Sequence, residues 1–187
     1  MSVLFIKNMV CNRCTLMVQK EIEKLAVTAK SIQLGEVELE RALTTAERDA
    51  LRQALETLGF ELIDDKKGQL IEKIKTSIVK LVHYQDNDLK VNLSDFLGKE
   101  LEQDYNYLSN LFSEIEGKTI EKYFIAQKVE RIKELLVYDE LSLSEIAHRL
   151  NYSSVAYLSN QFKKVTGLTP SHFKKIRDNR RKPLDEV

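Results

Sequence analysis

The chain has 187 residues, 43% of them hydrophobic and 31% charged, and its 29 basic residues balance 29 acidic ones. That composition excludes a disordered or fibrous protein, and the length allows one medium domain or two small ones. Apolar stretches as short as residues 3–6, a start without a basic run before an apolar one, and only two cysteines argue against membrane, secreted and disulfide-framed proteins, leaving the cytoplasm.

Residues 3–6 are expected as a strand, and Met9, Cys11 and Cys14 follow it directly. Met17, Val18, Ile22 and Leu25 recur at helical spacing. Ile32 and Leu34 alternate, Gly35 shifts the register, and Val37 and Leu39 alternate again, which predicts a hairpin. Leu51, Ala54, Leu55 and Leu58 mark a second helix that Gly59 ends, and residues 60–63 close the run as a strand. Over residues 1–67 the expected order is therefore βαββαβ, that of a ferredoxin-like α+β domain. With Cys-x-x-Cys at the first strand–helix junction, residues 1–65 resemble the heavy-metal-associated domain of copper chaperones and transporters. The core of Met9, Cys11 and Cys14 matches, while Asn8 stands where that family usually has glycine.

Three chemistries are open to the cysteine pair. A helix N-terminus and Arg13 would favour thiolates, and two thiolates with no nearby histidine suit a soft, low-coordinate ion such as Cu(I). Structural zinc would need two further ligands. A thiol redox site is the second reading, although the cis-proline that accompanies thioredoxin-like pairs has no candidate beyond Pro170 and Pro183. The third is a pair without function.

Residues 68–87 are expected to connect the domains. Within them Ile71, Ile74, Ile78 and Leu81 form a short a/d stripe, which either packs on its own chain or serves a homodimer through residues 68–83.

Beyond this point the chain repeats. Tyr107-Leu108-Ser109-Asn110 recurs as Tyr157-Leu158-Ser159-Asn160, and Phe112, Gly117 and Thr119 recur as Phe162, Gly167 and Thr169. The preceding helix slips by one residue, Gly98 and Leu101 matching Ala147 and Leu150. Ser142 with Glu145 reads as a capping box, and Ser153 or Ser154 as the cap of the next helix. That next helix is expected to bury Tyr157, Leu158 and Phe162, and Pro170 to open a last one. In the first copy Asn92 with Asp95 opens the helix, 102–104 make the turn, and Tyr107, Leu108, Leu111 and Phe112 are expected inside. One continuous helix, residues 120–137, joins two helix-turn-helix units at 92–115 and 142–165.

Residues 142–173, SLSEIAHRLNYSSVAYLSNQFKKVTGLTPSHF, are similar to the second helix-turn-helix of AraC/XylS-type transcription regulators, and the resemblance extends over about residues 88–178. It implies an all-α, bipartite DNA-binding domain within residues 88–182, whose two recognition helices enter neighbouring major grooves of double-stranded DNA. RNA polymerase is the further partner such a regulator implies. The side chains expected to face base edges are Ser154, Ala156, Asn160, Gln161 and Lys163, with Asn106, Ser109 and Asn110 in the first unit, where Asp104, Tyr105 and Ser113 also project. Asn and Gln suit adenine, which they pair bidentately. Lys163, Lys164, Lys174, Lys175 and Arg177 are expected on phosphates.

Overall neutrality conceals an uneven distribution. Residues 88–141 carry −5 and residues 142–182 carry +7, so phosphate contact is expected from the second unit and the basic residues after it. No cluster of carboxylate, histidine and nucleophile and no glycine-rich phosphate loop points to an enzyme. The sequence therefore reads as a DNA-binding regulator with a metal-responsive domain. A metal-trafficking protein and a thiol redox-responsive regulator are the alternatives.

Overall fold

The computed structural model describes residues 2–89, 91–176 and 184, and it divides into two compact units at Thr76 and Ser77. Arg177, expected on a phosphate, lies outside the described residues. Among the described residues no helix is long and apolar enough to cross a membrane.

In the first unit the elements run β1 (Ser2–Lys7), α1 (Asn12–Lys24), β2 (Ala29–Gln33), β3 (Glu36–Leu39), α2 (Thr45–Thr57) and β4 (Glu61–Ile63). The sheet order is β2-β3-β1-β4 and every pairing is antiparallel. The two-residue period puts Leu4 and Ile6 of β1 on one face with Val37, Leu39 and Leu62. There they meet Val18 and Ile22 of α1 and Leu51 and Leu55 of α2 in a single apolar cluster. Thr44 and Glu47 cap α2 reciprocally, which fixes where that helix starts.

Helix α3 (Lys66–Val79) follows, and a turn of π-helix, Lys80–Tyr84, continues it. Residues 68–76 belong to the first unit, so this segment is no free connector. Lys73 lies 5.0 Å over the Phe5 ring, and a Cβ at Gly35 would meet Thr76 Oγ1 at 2.7 Å. Ile71, Ile74, Ile78 and Leu81 are all buried within the single chain. Of the two roles open to this stripe, packing on its own chain is the one that this burial supports.

The second unit is helical: α4 (Leu93–Glu100), α5 (Tyr105–Glu116), α6 (Ile120–Tyr138), α7 (Leu143–Arg149), α8 (Val155–Thr166) and α9 (Pro170–Ile176). Gly117 and Gly167 end α5 and α8 in the left-handed conformation, the geometry that makes glycine the residue of choice there. Val129, Ile132, Leu135 and Leu136 of α6 form one core with Ile146, Leu150, Leu158, Phe162 and Phe173. In the first copy Leu97, Leu108, Leu111, Phe112, Ile120 and Tyr123 are buried, and the Phe112 and Tyr123 ring centres lie 5.7 Å apart.

Candidate nucleic-acid interface

The two helix-turn-helix copies share their backbone wiring. In the first, Gln103 N–H donates to Gly98 O at 3.1 Å and Glu102 has φ +52°; in the second, Tyr152 N–H donates to Ala147 O at 2.8 Å and Asn151 has φ +54°. Side-chain caps then start both recognition helices, Asp104 accepting from Tyr107 N–H and Ser154 from Tyr157 N–H. The offset between copies is 50 residues at the caps Asn92 and Ser142, 49 at the turn, and 50 again at the caps Asp104 and Ser154. Helix α4 is one residue longer than α7, and Ser153 restores the register, which accounts for the slip seen in the sequence.

Capping fixes each helix start and burial fixes its roll. Ser142 and Glu145 form the expected capping box at α7. Asn92 occupies the cap position of α4 without a side-chain bond, so the cap expected there is positional only. Leu158 and Phe162 are buried one helical turn apart, and this pair turns Ala156, Asn160, Lys163 and Lys164 outward, all exposed. Asn106 and Asn110 are exposed in the same way on α5, with Ser109 and Ser113 half-buried.

Three expectations change. Tyr107 and Tyr157 are 48% and 54% exposed rather than buried, because each sits a residue before the leucine that defines the buried stripe. Two aromatic side chains thereby join the candidate interface, which apolar periodicity alone had placed inside. Ser154 and Asp104 act as helix caps, their side-chain oxygens already bonded. Gln161 is half-buried, and Tyr152 Oη–H donates to its Oε1 at 2.5 Å.

The electrostatic contrast between the copies is local as well as regional. Where α8 carries Lys163 and Lys164, α5 carries Ser113 and Glu114. Glu102 and Asp104 precede α5, where Asn151 and Ser154 precede α8. Tyr105 Oη–H donates to Glu121, which draws Tyr105 away from the outer face. On α9 Lys175 is exposed, while Lys174 pairs with Asp139.

In the first unit Cys11 occupies the cap position of α1 and Cys14 its first turn, with the two sulfurs 3.0 Å apart. Burial, and then the hydrogen bond with Cys11, push the Cys14 thiol up. The helix-dipole argument had predicted the opposite direction. No contact joins Arg13 to either sulfur among the interactions of the described residues. Among those residues, no group of three or more His, Cys, Asp or Glu converges for a metal ion. Asn8 has φ +71°, a left-handed conformation that asparagine tolerates, and its Nδ2 donates to Gly59 O at 3.0 Å. The glycine expected before Met9 is therefore replaced without strain on the loop. His83, which the sequence left without a role, meets the buried Gln127 at 2.9 Å.

A family model described as a helix-turn-helix domain matches residues 97–176. Among curated proteins, the chain is 24% identical over 104 residues to an uncharacterized HTH-type transcriptional regulator, YtdP, of Bacillus subtilis, covering 55% of this chain and 13% of that protein. It is 29% identical over 99 residues to the Msm operon regulatory protein of Streptococcus mutans, covering 52% and 34%, and 33% identical over 69 residues to the xylose operon regulatory protein of Escherichia coli, covering 37% and 18%. The chain thus spans at most about a third of these relatives' lengths. All three carry regulatory rather than enzymatic names. Of solved structures, the C-terminal domain of AraT, a response regulator from Geobacillus stearothermophilus, superposes with a TM-score of 0.52 at 23% identity, covering 63% of this chain and 95% of that one. Paired turns and matched caps thus form a helix-turn-helix domain across residues 97–176, in a helical unit with the fold of that structure.

Proposed function

We propose that the protein is a sequence-specific DNA-binding transcription regulator of AraC type in which α8 is the principal reader. The observation that carries this is the outer face of α8. Asn160 and Ala156 have the chemistry to meet an adenine edge and a thymine methyl, and they stand beside Lys163 and Lys164 on a helix whose roll is fixed by Leu158 and Phe162. Glu114 on the matching face of α5 repels phosphate, so the first helix-turn-helix contributes little affinity. The test is binding-site selection from genomic fragments by the full chain at two salt concentrations. Sequence enrichment with salt-sensitive affinity supports the reading, and salt-insensitive binding without enrichment sinks it.

The finer reading adds a soft metal ion, Cu(I) or an ion like it, at Cys11 and Cys14. Its support is the pair of sulfurs 3.0 Å apart, with Cys14 packed on the core that includes Met9, in a βαββαβ unit with the strand order β2-β3-β1-β4. The donor set fits such an ion. Cys11 and Cys14, whose sulfurs lie 3.0 Å apart at the start of a helix, would hold such an ion as thiolates. In this reading the bound ion biases DNA affinity, and operator DNA changes metal affinity by the same factor. Repeating the selection with and without copper, on the natural chain and on Cys11→Ser/Cys14→Ser, tests it. A copper effect that survives the double substitution excludes the pair as its source. A reversible Cys11–Cys14 disulfide in place of a metal complex favours the thiol redox reading.

A further inference from the structure

Tyr152 has no aromatic counterpart in the first copy, where Gln103 takes its place in the turn. Its ring is 9% exposed, with the Lys128 ammonium nitrogen 3.7 Å from its centre and the Tyr157 ring centre 6.0 Å away. Lys128 is itself buried and also lies 5.5 Å from the Phe124 ring centre. A ring held between a cation and a second aromatic has little freedom, so its hydroxyl has a fixed direction. That direction is toward Gln161: Tyr152 Oη–H donates to Gln161 Oε1 at 2.5 Å.

This bond bears on what Gln161 presents to DNA. A primary amide carries an acceptor and two donors on opposite sides of one carbon. Pairing bidentately with adenine uses both, the carbonyl accepting from N6–H and the amide nitrogen donating to N7. With its carbonyl accepting from Tyr152, the amide of Gln161 carries its nitrogen on the side away from that hydroxyl. Its two N–H donors have no hydrogen-bond partner among the described residues, while its carbonyl is already engaged.

Resting on the reading that α8 enters a major groove, we propose that Gln161 is a donor-only base reader and Tyr152 the positioning residue that makes it so. Its target is a base edge with acceptors, guanine O6 and N7 or thymine O4, and not the adenine that glutamine suits when free. Tyr152 touches no base. It sets specificity by engaging and orienting the carbonyl that would otherwise turn to accept from adenine or cytosine.

Binding-site selection from a randomised duplex library, using the full chain and three variants, tests this. The natural chain should enrich guanine or thymine at one position, and Gln161→Ala should flatten that position alone. Tyr152→Phe removes only the hydroxyl, and should raise adenine there by about fivefold or more, the factor that about 1 kcal/mol of base discrimination gives. Gln161→Glu, which presents acceptors instead of donors, should move the preference toward adenine or cytosine even if Tyr152→Phe folds poorly. Unchanged selection by both Tyr152→Phe and Gln161→Glu overturns the proposal. So does a Gln161→Ala variant that loses affinity equally for all sequences, since Gln161 would then contact phosphate. If the natural chain enriches no sequence, the DNA reading itself fails and this inference falls with it. Failure of the inference alone leaves the natural chain's preference intact.

Discussion

Asn87 and Asn151 hold each other's chain segments. Asn87 Nδ2 donates to Leu150 O at 2.9 Å, and Asn151 Nδ2 donates to Leu89 O at 3.2 Å. Both residues are left-handed, with φ of +56° and +54°. Asp86 strengthens the same stitch by pairing with Arg149 at 2.8 Å and Arg131 at 3.6 Å. The segment after the π-helix is therefore fastened to the turn that aims α8. Asn87→Ala unpairs the Leu150 carbonyl and puts alanine in a left-handed conformation, for an expected loss of about 1–3 kcal/mol. Urea unfolding measures it; a midpoint equal to that of the natural chain would mean the stitch contributes nothing.

Lys128 yields a pH prediction. Burial pushes its ammonium down from the ordinary lysine value to about 8. Between about pH 8 and the unfolded value of 10.5 the unfolded chain binds more protons, so Lys128 makes stability rise with pH across that window. Below pH 8 both states are charged and the cost of burying the charge is fully present. Lys128→Met should remove this rise. Unfolding midpoints that run parallel for the two chains from pH 7 to 10 would contradict the assignment.

The lysines on α8 predict a salt effect. Lys163→Ala/Lys164→Ala should weaken binding to all sequences and lower the slope of log affinity against log salt by about 2. Asn160→Ala should leave the slope unchanged and alter sequence preference instead. In the first helix-turn-helix, Glu114→Lys should steepen the slope by about 1 if α5 lies near phosphate. No change there would place α5 clear of the backbone.

For the cysteines the prediction concerns reactivity. With its thiol pushed up by burial, Cys14 should alkylate slowly at neutral pH and faster as the pH rises. Peptide mass mapping of iodoacetamide-treated protein separates it from Cys11. Faster labelling of Cys14 than of an unhindered thiol at pH 7 would restore the helix-dipole expectation.

Much of this architecture was legible in the sequence because the punctuation is local. Ser142 with Glu145, and Ser154, cap their helices through hydrogen bonds within a few residues, as their positions predict. Alternation around Gly35 placed the β2–β3 hairpin for the same reason. What stayed hidden depends on neighbours distant in sequence. Tyr157 matches an apolar pattern, yet its side of α8 faces out. Gln161 resembles a free reader until the Tyr152 hydroxyl reaches it across the turn. The cysteine pair has the spacing of a thiolate site, and only the packing around Cys14 shows that burial outweighs the helix dipole. That the first compact unit runs on to Thr76 was not legible, because nothing local to Ile71 and Ile74 says which part of the chain covers them.

The shared wiring of the two turns has a consequence for engineering. Because both copies hold their second helix with the same backbone bond, a left-handed residue at the matching position and an equivalent cap, the outer residues of α5 sit on a platform built like that of α8. Transplanting the outward side chains of α8 onto α5, Glu114→Lys among them, asks nothing new of the core. The natural protein would then be one repainted surface away from a grip on two successive grooves.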